Sequence, residues 1–509
     1  MRASLFLAAA LQFTGFIGLH LFTQGHRFSF HYLVSCCANS HLGSASEHPT
    51  ERGETKMKIR ARFGAVISGC LLTLGVAQAE TGSDIYTANC AQCHGKQREG
   101  GLGPSLADNV WLNGEPTKAN FTKIISKGLV AKGMPAWEGL LTKAQIDQLS
   151  EFLLTKPTAA AEAPAADDIA NIRVPKGFQI SVYAEGVETA RSLVVDSNDV
   201  VYVGSRKAGK VYALVGTNKD GKADKVITVA EGLDSPIGVT LLNNSLYVAE
   251  ISRVIRFDNI NQTYANKPSY TVIKNDLTTD RWHGEKVIKA GPDGKLYIPI
   301  GAPCNVCDKE KEAYSKIYSM NPDGSNFSVF AKGIRNSVGF TWHPLTKEMW
   351  FTDNGRDELG DNLPSCELNR APKAGLHFGF PYCHSGVLLD PEFGKNKSCS
   401  DYVPPVANLG PHVAPLGLAF YTGNQFPAQY RNQLFVAEHG SWNRTQKIGY
   451  RVSLVTLVGN QLLTDTPFVE FLHDENVLGR PVDVAFLSDG SMLISDDSRG
   501  RVYRVTYSK

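Results

Sequence analysis

Two thiols and an imidazole stand together in the segment Cys90-Ala91-Gln92-Cys93-His94. Two cysteines three residues apart, with a histidine directly after them, form the attachment signal of a c-type haem. Cys90 and Cys93 would bind the vinyl groups as thioethers, and His94 would bind the iron. The alternative interpretation is a redox-active cysteine pair, or half of a metal site, that happens to precede a histidine. The haem interpretation is favoured because Met134, between Gly133 and Pro135, supplies a second axial ligand.

Iron with both axial positions filled by protein leaves no place for a substrate. This haem is therefore expected to carry electrons that are released elsewhere in the chain.

The residues around the motif predict a small helical domain over 80–156. Asp84 to Cys90 predicts a helix that leads into the haem motif. Thr142 to Leu154 predicts another, because its apolar residues recur at helical spacing after a threonine suited to an N-cap. Two helices that flank a haem loop and a Gly-Met-Pro segment resemble a class I cytochrome c domain. Residues 157–169 are rich in alanine and proline, which predicts a linker.

Residues 170–509 repeat one phrase, in which a turn leads into a short strand of β-branched and aromatic residues. Such a period, with no long helical pattern between the strands, is typical of propeller blades. The sequence therefore predicts a multidomain protein, a small all-α cytochrome c domain followed by an all-β six-bladed propeller. The six instances of the repeated strand are 200–203, 246–248, 296–298, 349–351, 434–436 and 492–494.

Basic and imidazole side chains recur at a similar phase of this repeat. His283, Arg335 and Arg480 precede the repeated strand of their unit by 12 to 14 residues, and His412 precedes its strand by 22. Each one alone is more often a surface or structural residue. Because propeller loops converge on a central funnel, residues that share a phase predict a basic ring suited to a small polyanion.

Three phrases within the repeat identify a resemblance to a known family. They are Trp282-His283-Gly284, Gly333-Ile334-Arg335-Asn336-Ser337 and His439-Gly440-Ser441-Trp442-Asn443-Arg444. They resemble the PQQ-dependent soluble sugar dehydrogenases, and most closely the sorbosone dehydrogenase branch. The resemblance implies pyrroloquinoline quinone (PQQ) in the funnel, Ca²⁺ against the quinone, and oxidation of a sugar or a sugar-derived alcohol or aldehyde.

The resemblance also implies roles for individual residues. His283 matches the general base, and Arg335 and Asn336 match the pair that contacts the quinone oxygens. Arg480 matches an arginine that pairs with a cofactor carboxylate. The segment 352–356 matches the calcium loop, in which the main-chain carbonyls of Gly355 and Arg356 would be ligands.

One position departs from the family pattern. The glucose-oxidising relatives carry a second arginine two residues after the position of Arg480, where this chain has Val482. The anionic cofactor therefore needs another partner, and Arg191 and Arg444 are the candidates, with His412 as a further member of the basic ring. The departure also argues against glucose itself as the substrate.

These features together predict a quinohaemoprotein dehydrogenase with a built-in cytochrome acceptor. Its cofactors would be PQQ, haem c and Ca²⁺, and its partners a small sugar-derived substrate and a downstream cytochrome or respiratory chain. Two alternatives remain at this point. One is a propeller that senses a ligand while the cytochrome transfers electrons, and the other is a reductase with a second, non-covalent haem.

The N-terminal region predicts export. Met57 opens a basic segment and an apolar core, and Ala77-Gln78-Ala79 precedes Glu80 as a cleavage site. We expect residues 57–79 to be a signal peptide and 1–56 an extension before the true start, so that the mature protein is periplasmic. The net charge of +2 gives no sign of a nucleic-acid surface, and no apolar run after residue 80 is long enough to span a bilayer.

The cysteines outside the haem motif suit an oxidising compartment. Cys304 and Cys307 are expected to close a small disulfide loop, rather than to relay electrons. Cys366, Cys383 and Cys399 leave one thiol unpaired, and the sequence does not determine which one.

Overall fold

The computed structural model describes residues 81–508 apart from 96–97, 99–102, 105, 107–112, 131–133, 156–165, 217, 219 and 443. The predicted extension, signal peptide and cleavage site, and most of the predicted linker, lie outside the described residues. The last part of the predicted linker enters a 3-10 helix, Ala166–Asn171. In the part of the chain that the structure describes, no helix is both long and apolar enough to cross a membrane.

The first domain is helical, as predicted. Its helices are α1 (Gly82–Asn89), α2 (Ala91–His94), α3 (Lys118–Lys127) and α4 (Lys143–Leu154). Thr81 and Thr142 cap α1 and α4 with reciprocal capping boxes, in which the threonine hydroxyl accepts from a backbone amide three residues on. The apolar faces of α1, α3 and α4 form one buried core. This core presents the α1–α2 turn, which carries the haem motif.

The second domain contains six blades, each built on four antiparallel strands, and the sheet of the third blade has a fifth strand that is parallel to its neighbour. The repeated strand identified in the sequence is the second strand of every sheet. After β1 (Phe178–Ala184), the first blade consists of β2 (Ala190–Val195), β3 (Val201–Ser205), β4 (Val211–Val215) and β5 (Lys225–Ala230). The second consists of β6 (Gly238–Leu242), β7 (Ser245–Ala249), β8 (Val254–Phe257) and β9 (Thr271–Lys274). The third consists of β10 (Lys289–Ala290), β11 (Leu296–Ile300), β12 (Lys316–Met320) and β13 (Ser328–Lys332).

The next three sheets repeat this order with longer insertions. The fourth consists of β14 (Phe340–Trp342), β15 (Met349–Asp353), β16 (Ser365–Ala371) and β20 (Ala407–Pro411). The fifth consists of β21 (Pro415–Phe420), β22 (Leu434–Glu438), β23 (Arg451–Val458) and β24 (Gln461–Glu470). The sixth consists of β27 (Pro481–Phe486), β28 (Met492–Asp496) and β29 (Arg501–Tyr507), with β1 as its fourth strand.

The remaining elements lie in connections between these strands. They are the short helix α5 (Ile260–Thr263), the strand β17 (Leu376–His377) parallel to β13, and two hairpins, β18 (Cys383–His384) with β19 (Leu388–Leu389), and β25 (Leu472–His473) with β26 (Asn476–Val477).

The ring of blades closes by pairing the two ends of the domain. β1 pairs with β29, with Phe178 opposite Tyr507. Neighbouring inner strands pack against each other around the ring, and buried clusters fill the spaces between blades. The six-bladed propeller predicted from the repeat is confirmed.

In an antiparallel four-stranded blade, the entry into the first strand and the connection from the second to the third strand lie at the same end. The residues of the predicted basic ring all lie at the entries into first strands or in the connections after second strands. One face of the propeller therefore collects two loops from each blade, and this is the face on which the site is built.

The ring closure gives the first testable prediction. Phe178 is 6% exposed, and its ring contacts those of Phe426, Phe468 and Tyr507 at centroid distances of 4.8, 4.8 and 4.9 Å. Phe178→Ala is expected to lower the free energy of unfolding of the propeller by about 3–5 kcal/mol, because it opens a cavity at the closing blade. The measurement is chemical denaturation, with Leu463→Ala, at a 61% exposed position, as a control that should change it little.

Candidate active site and haem centre

The haem motif is held in a form suited to iron binding. His94 Nδ1 donates a hydrogen bond to Pro104 O at 2.8 Å, which leaves Nε2 as the unprotonated nitrogen available to a metal. Cys90 lies at the α1–α2 junction and Cys93 lies within α2, and both are free thiols. Met134 packs against the core of the same domain and pairs through its backbone with Leu129. The four predicted haem residues therefore fit a covalently bound haem with two protein ligands.

The haem motif also lies close to charged loops of the propeller. Burial raises the pKa of the Cys93 thiol, while the Arg206 charge lowers it and Asp357 raises it. Burial lowers the pKa of His94, and the charge of Lys207 lowers it further. Arg206 and Lys207 belong to the second-to-third-strand loop of the first blade, and Asp357 belongs to the corresponding loop of the fourth blade.

His283 lies at the entry to the third blade with one ring nitrogen fixed and one available. Its Nδ1 donates to Ala302 O at 2.8 Å, and its Nε2 makes no hydrogen bond with any described residue. Burial lowers its pKa well below the usual value, and the charge of Arg335 lowers it further. The imidazole is therefore neutral near pH 7, with Nε2 as a free proton acceptor.

Arg335 and Asn336 stand beside this histidine on the entry to the fourth blade. Asp353, the last residue of β15, accepts from the backbone nitrogens of Arg335 at 2.8 Å and Asn336 at 2.6 Å. Gly301 permits the close packing, since a Cβ there would lie 2.7 Å from His283 Cβ and 3.2 Å from Asn336 Oδ1. The structure thus brings together His283, Arg335 and Asn336, as the sequence predicted.

The other side of the ring is built around Asp497. Its carboxylate accepts from Arg191 Nη1 at 3.0 Å and from His439 Nε2 at 2.8 Å. Burial opposes ionisation of Asp497, but His439, Arg191 and Arg480 outweigh it and lower the pKa of this carboxyl. Arg480 donates to the carbonyls of His439 and Gly440, both at 3.2 Å. These contacts join the first, fifth and sixth blades.

Arg206 and Glu285 connect the two sides. Arg206, in the first blade, forms an ion pair with Glu285. Glu285 lies at the entry to the third blade, two residues after His283. The charge of Asp497 also raises the pKa of Arg206. Charged residues of the first blade and of the third to sixth blades thus lie on the same face of the propeller.

His412 and Arg444 lie against the long loop that follows β15. His412 Nε2 donates to Gly360 O at 2.9 Å, and its Nδ1 lies 3.9 Å from Asp357 Oδ1. Arg444 donates to Asp361 O and, at 3.3 Å, to Asn362 Oδ1. These contacts with the loop use His412 Nε2 and Arg444 Nη1. Any contact with a cofactor must therefore use other polar atoms of the two side chains.

Two unpartnered donors fit an anionic ligand. Arg191 Nε and Arg444 Nε are buried and have no hydrogen-bond partner in the described part of the chain. A buried donor without an acceptor is costly, and a bound carboxylate would satisfy it. The residues present therefore fit the multiply charged PQQ that the resemblance implies.

The calcium loop supplies oxygen atoms of the kind that Ca²⁺ prefers. The carbonyl oxygens of Gly355 and Arg356 accept no hydrogen bond from any described residue. Arg356 itself is held by Asp390, with 2.6 Å between Nη1 and Oδ2. Within the described residues there is no cluster of three or more histidine, cysteine or carboxylate groups arranged for a metal. A calcium ion here would depend on main-chain oxygens and on the cofactor, as the resemblance implies.

Sequence reasoning missed Asn305, Asp357, His439 and Asp497 as parts of this network. All four lie in the connections that follow the second strand of a blade, whereas the prediction considered mainly residues that precede it. A search for polar residues directly after each repeated strand would have found them.

The disulfides follow the prediction where one was made. Cys304 pairs with Cys307, as expected. Cys383 pairs with Cys399, which leaves Cys366 as the buried free thiol that the sequence could not assign.

Comparison with known proteins agrees with this architecture. A family model described as TrAA12-like matches residues 172–508, and a second, described as cytochrome C oxidase, cbb3-type, subunit III, matches residues 77–153. An uncharacterized protein of Borreliella burgdorferi is 35% identical over 70% of this chain and 96% of its own length. The PQQ-dependent pyranose dehydrogenase of Coprinopsis cinerea is 22% identical over 65% of this chain, which spans 54% of that enzyme.

Solved structures give the same fold. The iodide structure of the family AA12 enzyme of Trichoderma reesei matches with a TM-score of 0.58, at 19% identity over 66% of this chain and 98% of the other. The holo PQQ domain of pyranose dehydrogenase from Coprinopsis cinerea matches with a TM-score of 0.57, at 18% identity over 66% and 97%.

The fold and the two sites define a six-bladed propeller oxidoreductase fused to a c-type cytochrome domain. The chain belongs to the TrAA12-like family of PQQ-dependent sugar dehydrogenases. The resemblance seen in the sequence is thereby confirmed.

Proposed function

We propose that this protein is a periplasmic quinohaemoprotein dehydrogenase that oxidises an aldose, or a sorbosone-like alcohol or aldehyde. Bound PQQ would supply the two-electron acceptor, with Ca²⁺ as its electrostatic partner. A haem held by Cys90, Cys93, His94 and Met134 would supply a one-electron carrier between the propeller and a downstream cytochrome or respiratory chain. The observation that carries the proposal is a neutral His283, with a free Nε2, beside Arg335 in a network of buried cations.

His283 is suited to remove the proton from a substrate hydroxyl. A hydroxyl-bearing or hydrated carbon becomes a hydride donor when its O–H proton leaves, and a neutral imidazole is the usual acceptor near neutral pH. The hydrogen bond from Nδ1 to Ala302 keeps Nε2 unprotonated and fixes the ring orientation. The substrate hydroxyl would therefore approach Nε2.

Arg335 and Asn336 would face the oxygens on which negative charge develops. Preorganised donors in a buried site stabilise such charge without reorganisation during the reaction. Arg335 is 4% exposed, and its guanidinium donates hydrogen bonds to Asn305, Asn354 and Asp357. The proposed partners of the cofactor carboxylates are Arg191, Arg444, His412 and Arg480. The main-chain carbonyls of Gly355 and Arg356 would hold the calcium.

Electron transfer to the fused haem needs two steps, because the oxidation releases two electrons and haem iron accepts one at a time. The proximity of Cys93 to Arg206 and Asp357 supports this route. Both loops belong to the face that carries His283 and Arg335.

The test is reconstitution of the purified full-length protein with PQQ and Ca²⁺, followed by addition of aldoses and of sorbosone-like aldehydes. Reduction of the haem, read from its α-band, is expected only when both PQQ and a substrate are present. Haem reduction without PQQ would favour a second haem in the propeller. Failure of every sugar to reduce the haem would favour the ligand-sensing alternative.

The pH dependence of the reaction gives another prediction. A lowered His283 pKa keeps the base unprotonated above that pKa, so the acid limb of kcat/KM should lie below the ordinary value of about 6.5. Activity is lost as pH falls through the lowered pKa, because the imidazole then takes up a proton. Arg335→Gln should move this limb toward higher pH, since it removes a charge that disfavours protonation. An unchanged limb in this variant would contradict the electrostatic role of Arg335.

A further inference from the structure

The loop after the second strand of the third blade contains a ring of four residues closed by a disulfide. Cys304-Asn305-Val306-Cys307 follows β11, and the pair Cys304–Cys307 joins its ends. The loop lies on the face of the propeller that carries the site. Its disulfide restricts the backbone of Asn305, which lies inside the ring.

Every hydrogen-bonding group of the Asn305 side chain is used. Its Oδ1 accepts from Arg335 Nη2 and from Asp357 N, both at 2.9 Å. Its Nδ2 donates to Asp357 O at 3.2 Å and to Glu358 Oε2 at 3.3 Å. The Asn305 carbonyl accepts from Arg335 Nε at 2.8 Å. One residue of the third blade thus bridges two loops of the fourth.

These bonds determine what the Arg335 guanidinium can still do. A guanidinium has five N–H donors in a fixed plane. Four are used, by Asn305 O, Asn305 Oδ1, Asn354 O at 3.2 Å and Asp357 Oδ2 at 3.2 Å. Because Nε and Nη2 are saturated, the remaining hydrogen is on Nη1.

We propose that Asn305, restrained by the Cys304–Cys307 disulfide, is a positioning residue that directs the free Nη1 hydrogen of Arg335 toward the reacting oxygens. The inference rests on the proposed function, since it concerns the same site. Asn305 does not touch the substrate. It holds the guanidinium in one orientation and holds the Asp357 segment against it.

The chemical reason is that a donor stabilises developing charge only if it already points at that charge. An arginine side chain has many rotamers, and a displacement of about 1 Å can reduce a rate by about 100-fold. Asp357 alone could pair with several of these rotamers. The two acceptors of Asn305 select one, because they bind Nε and Nη2 on the same edge of the guanidinium.

Two variants separate the contributions of the side chain and of the disulfide. Asn305→Ala removes the bonds of the amide but keeps the carbonyl, whereas Cys304→Ala with Cys307→Ala frees the backbone and keeps the amide. The matched control is Asn321→Ala. This asparagine is on the same blade and donates to Ser325 Oγ at 2.9 Å, but it lies in the turn at the opposite end of the strands.

The first measurement is independent of turnover. In full-length protein with ¹⁵N-labelled arginine, hydrogen exchange at Arg335 Nε, assigned with Arg335→Lys, is expected to be about tenfold faster in both test variants than in the wild type and control. Unchanged exchange in both would overturn the inference, whatever the function of the protein.

The second measurement uses PQQ with Ca²⁺ as the probe. In both variants we expect kcat for haem reduction to fall by about 100-fold with little change in the KM for sugar, and the bound-PQQ absorption spectrum to shift. Faster exchange with wild-type turnover and spectrum would overturn the positioning role. If wild-type protein itself gave no PQQ-dependent haem reduction, the proposed function would fail, and the exchange result would still report on Asn305.

Discussion

Replacing His283 by glutamine is expected to lower kcat for sugar-dependent haem reduction by about 100- to 10,000-fold. The variant keeps a polar side chain of similar size but has no group that accepts a proton near neutral pH. His283 Nε2 is free and its Nδ1 is bound to Ala302 O, so proton removal is assigned to a single atom. The measurement is stopped-flow reduction of the haem in PQQ-loaded protein.

The matched control is His473→Gln, because the side chain of His473, in the β25–β26 hairpin, makes no hydrogen bond with any described residue. Its turnover should stay near the wild-type value. In both variants the haem should be reduced normally by a chemical reductant. A His283→Gln protein that oxidised sugar at the wild-type rate would disprove the assignment of the base.

Replacing Cys90 and Cys93 together by alanine should abolish haem reduction by sugar, because the variant cannot hold haem covalently. Oxidation of sugar with a soluble dye as acceptor should continue within about twofold of the wild-type rate, since the haem motif belongs to the cytochrome domain and His283 and Arg335 belong to the propeller. The measurement pairs a covalent-haem stain of the denatured protein with dye-linked turnover.

This pair of assays separates electron exit from sugar oxidation. Loss of dye-linked turnover as well would show that the cytochrome domain is needed by the propeller reaction itself, contrary to the proposal. Cys366→Ala is the matched control, because Cys366 is the buried free thiol of the fourth blade and has no part in the haem motif.

Much of the fold could be predicted because the second strand of each blade is the most apolar and the most regular. The segments 296–298 and 492–494 lie inside β11 and β28, for example. The first strand of the third blade, Lys289–Ala290, is only two residues long and gives no periodic signal. The pairing of β1 with β29 joins the two ends of the propeller domain, and a local pattern carries no information about such a contact.

The site could be predicted only in part, and for a similar reason. His283 and Arg335 share a phase with the repeat, so their convergence follows from the fold. The partners of Arg335 follow the repeated strand instead of preceding it, since Asn305 and Asp357 lie in the connections after β11 and β15. The pairing of Cys383 with Cys399 depends on how the inserted loop folds back, which spacing alone left open.

The pairing of β1 with β29 also sets an order of assembly. The strand that completes the sixth blade, β1, is the first strand after the cytochrome domain, while its partner, Arg501–Tyr507, lies at the other end of the propeller domain. As the chain emerges, the cytochrome is complete long before the propeller can become a ring, because domains acquire structure from the N-terminus onward. Covalent haem could therefore be attached to the chain before the propeller that would hold PQQ has closed.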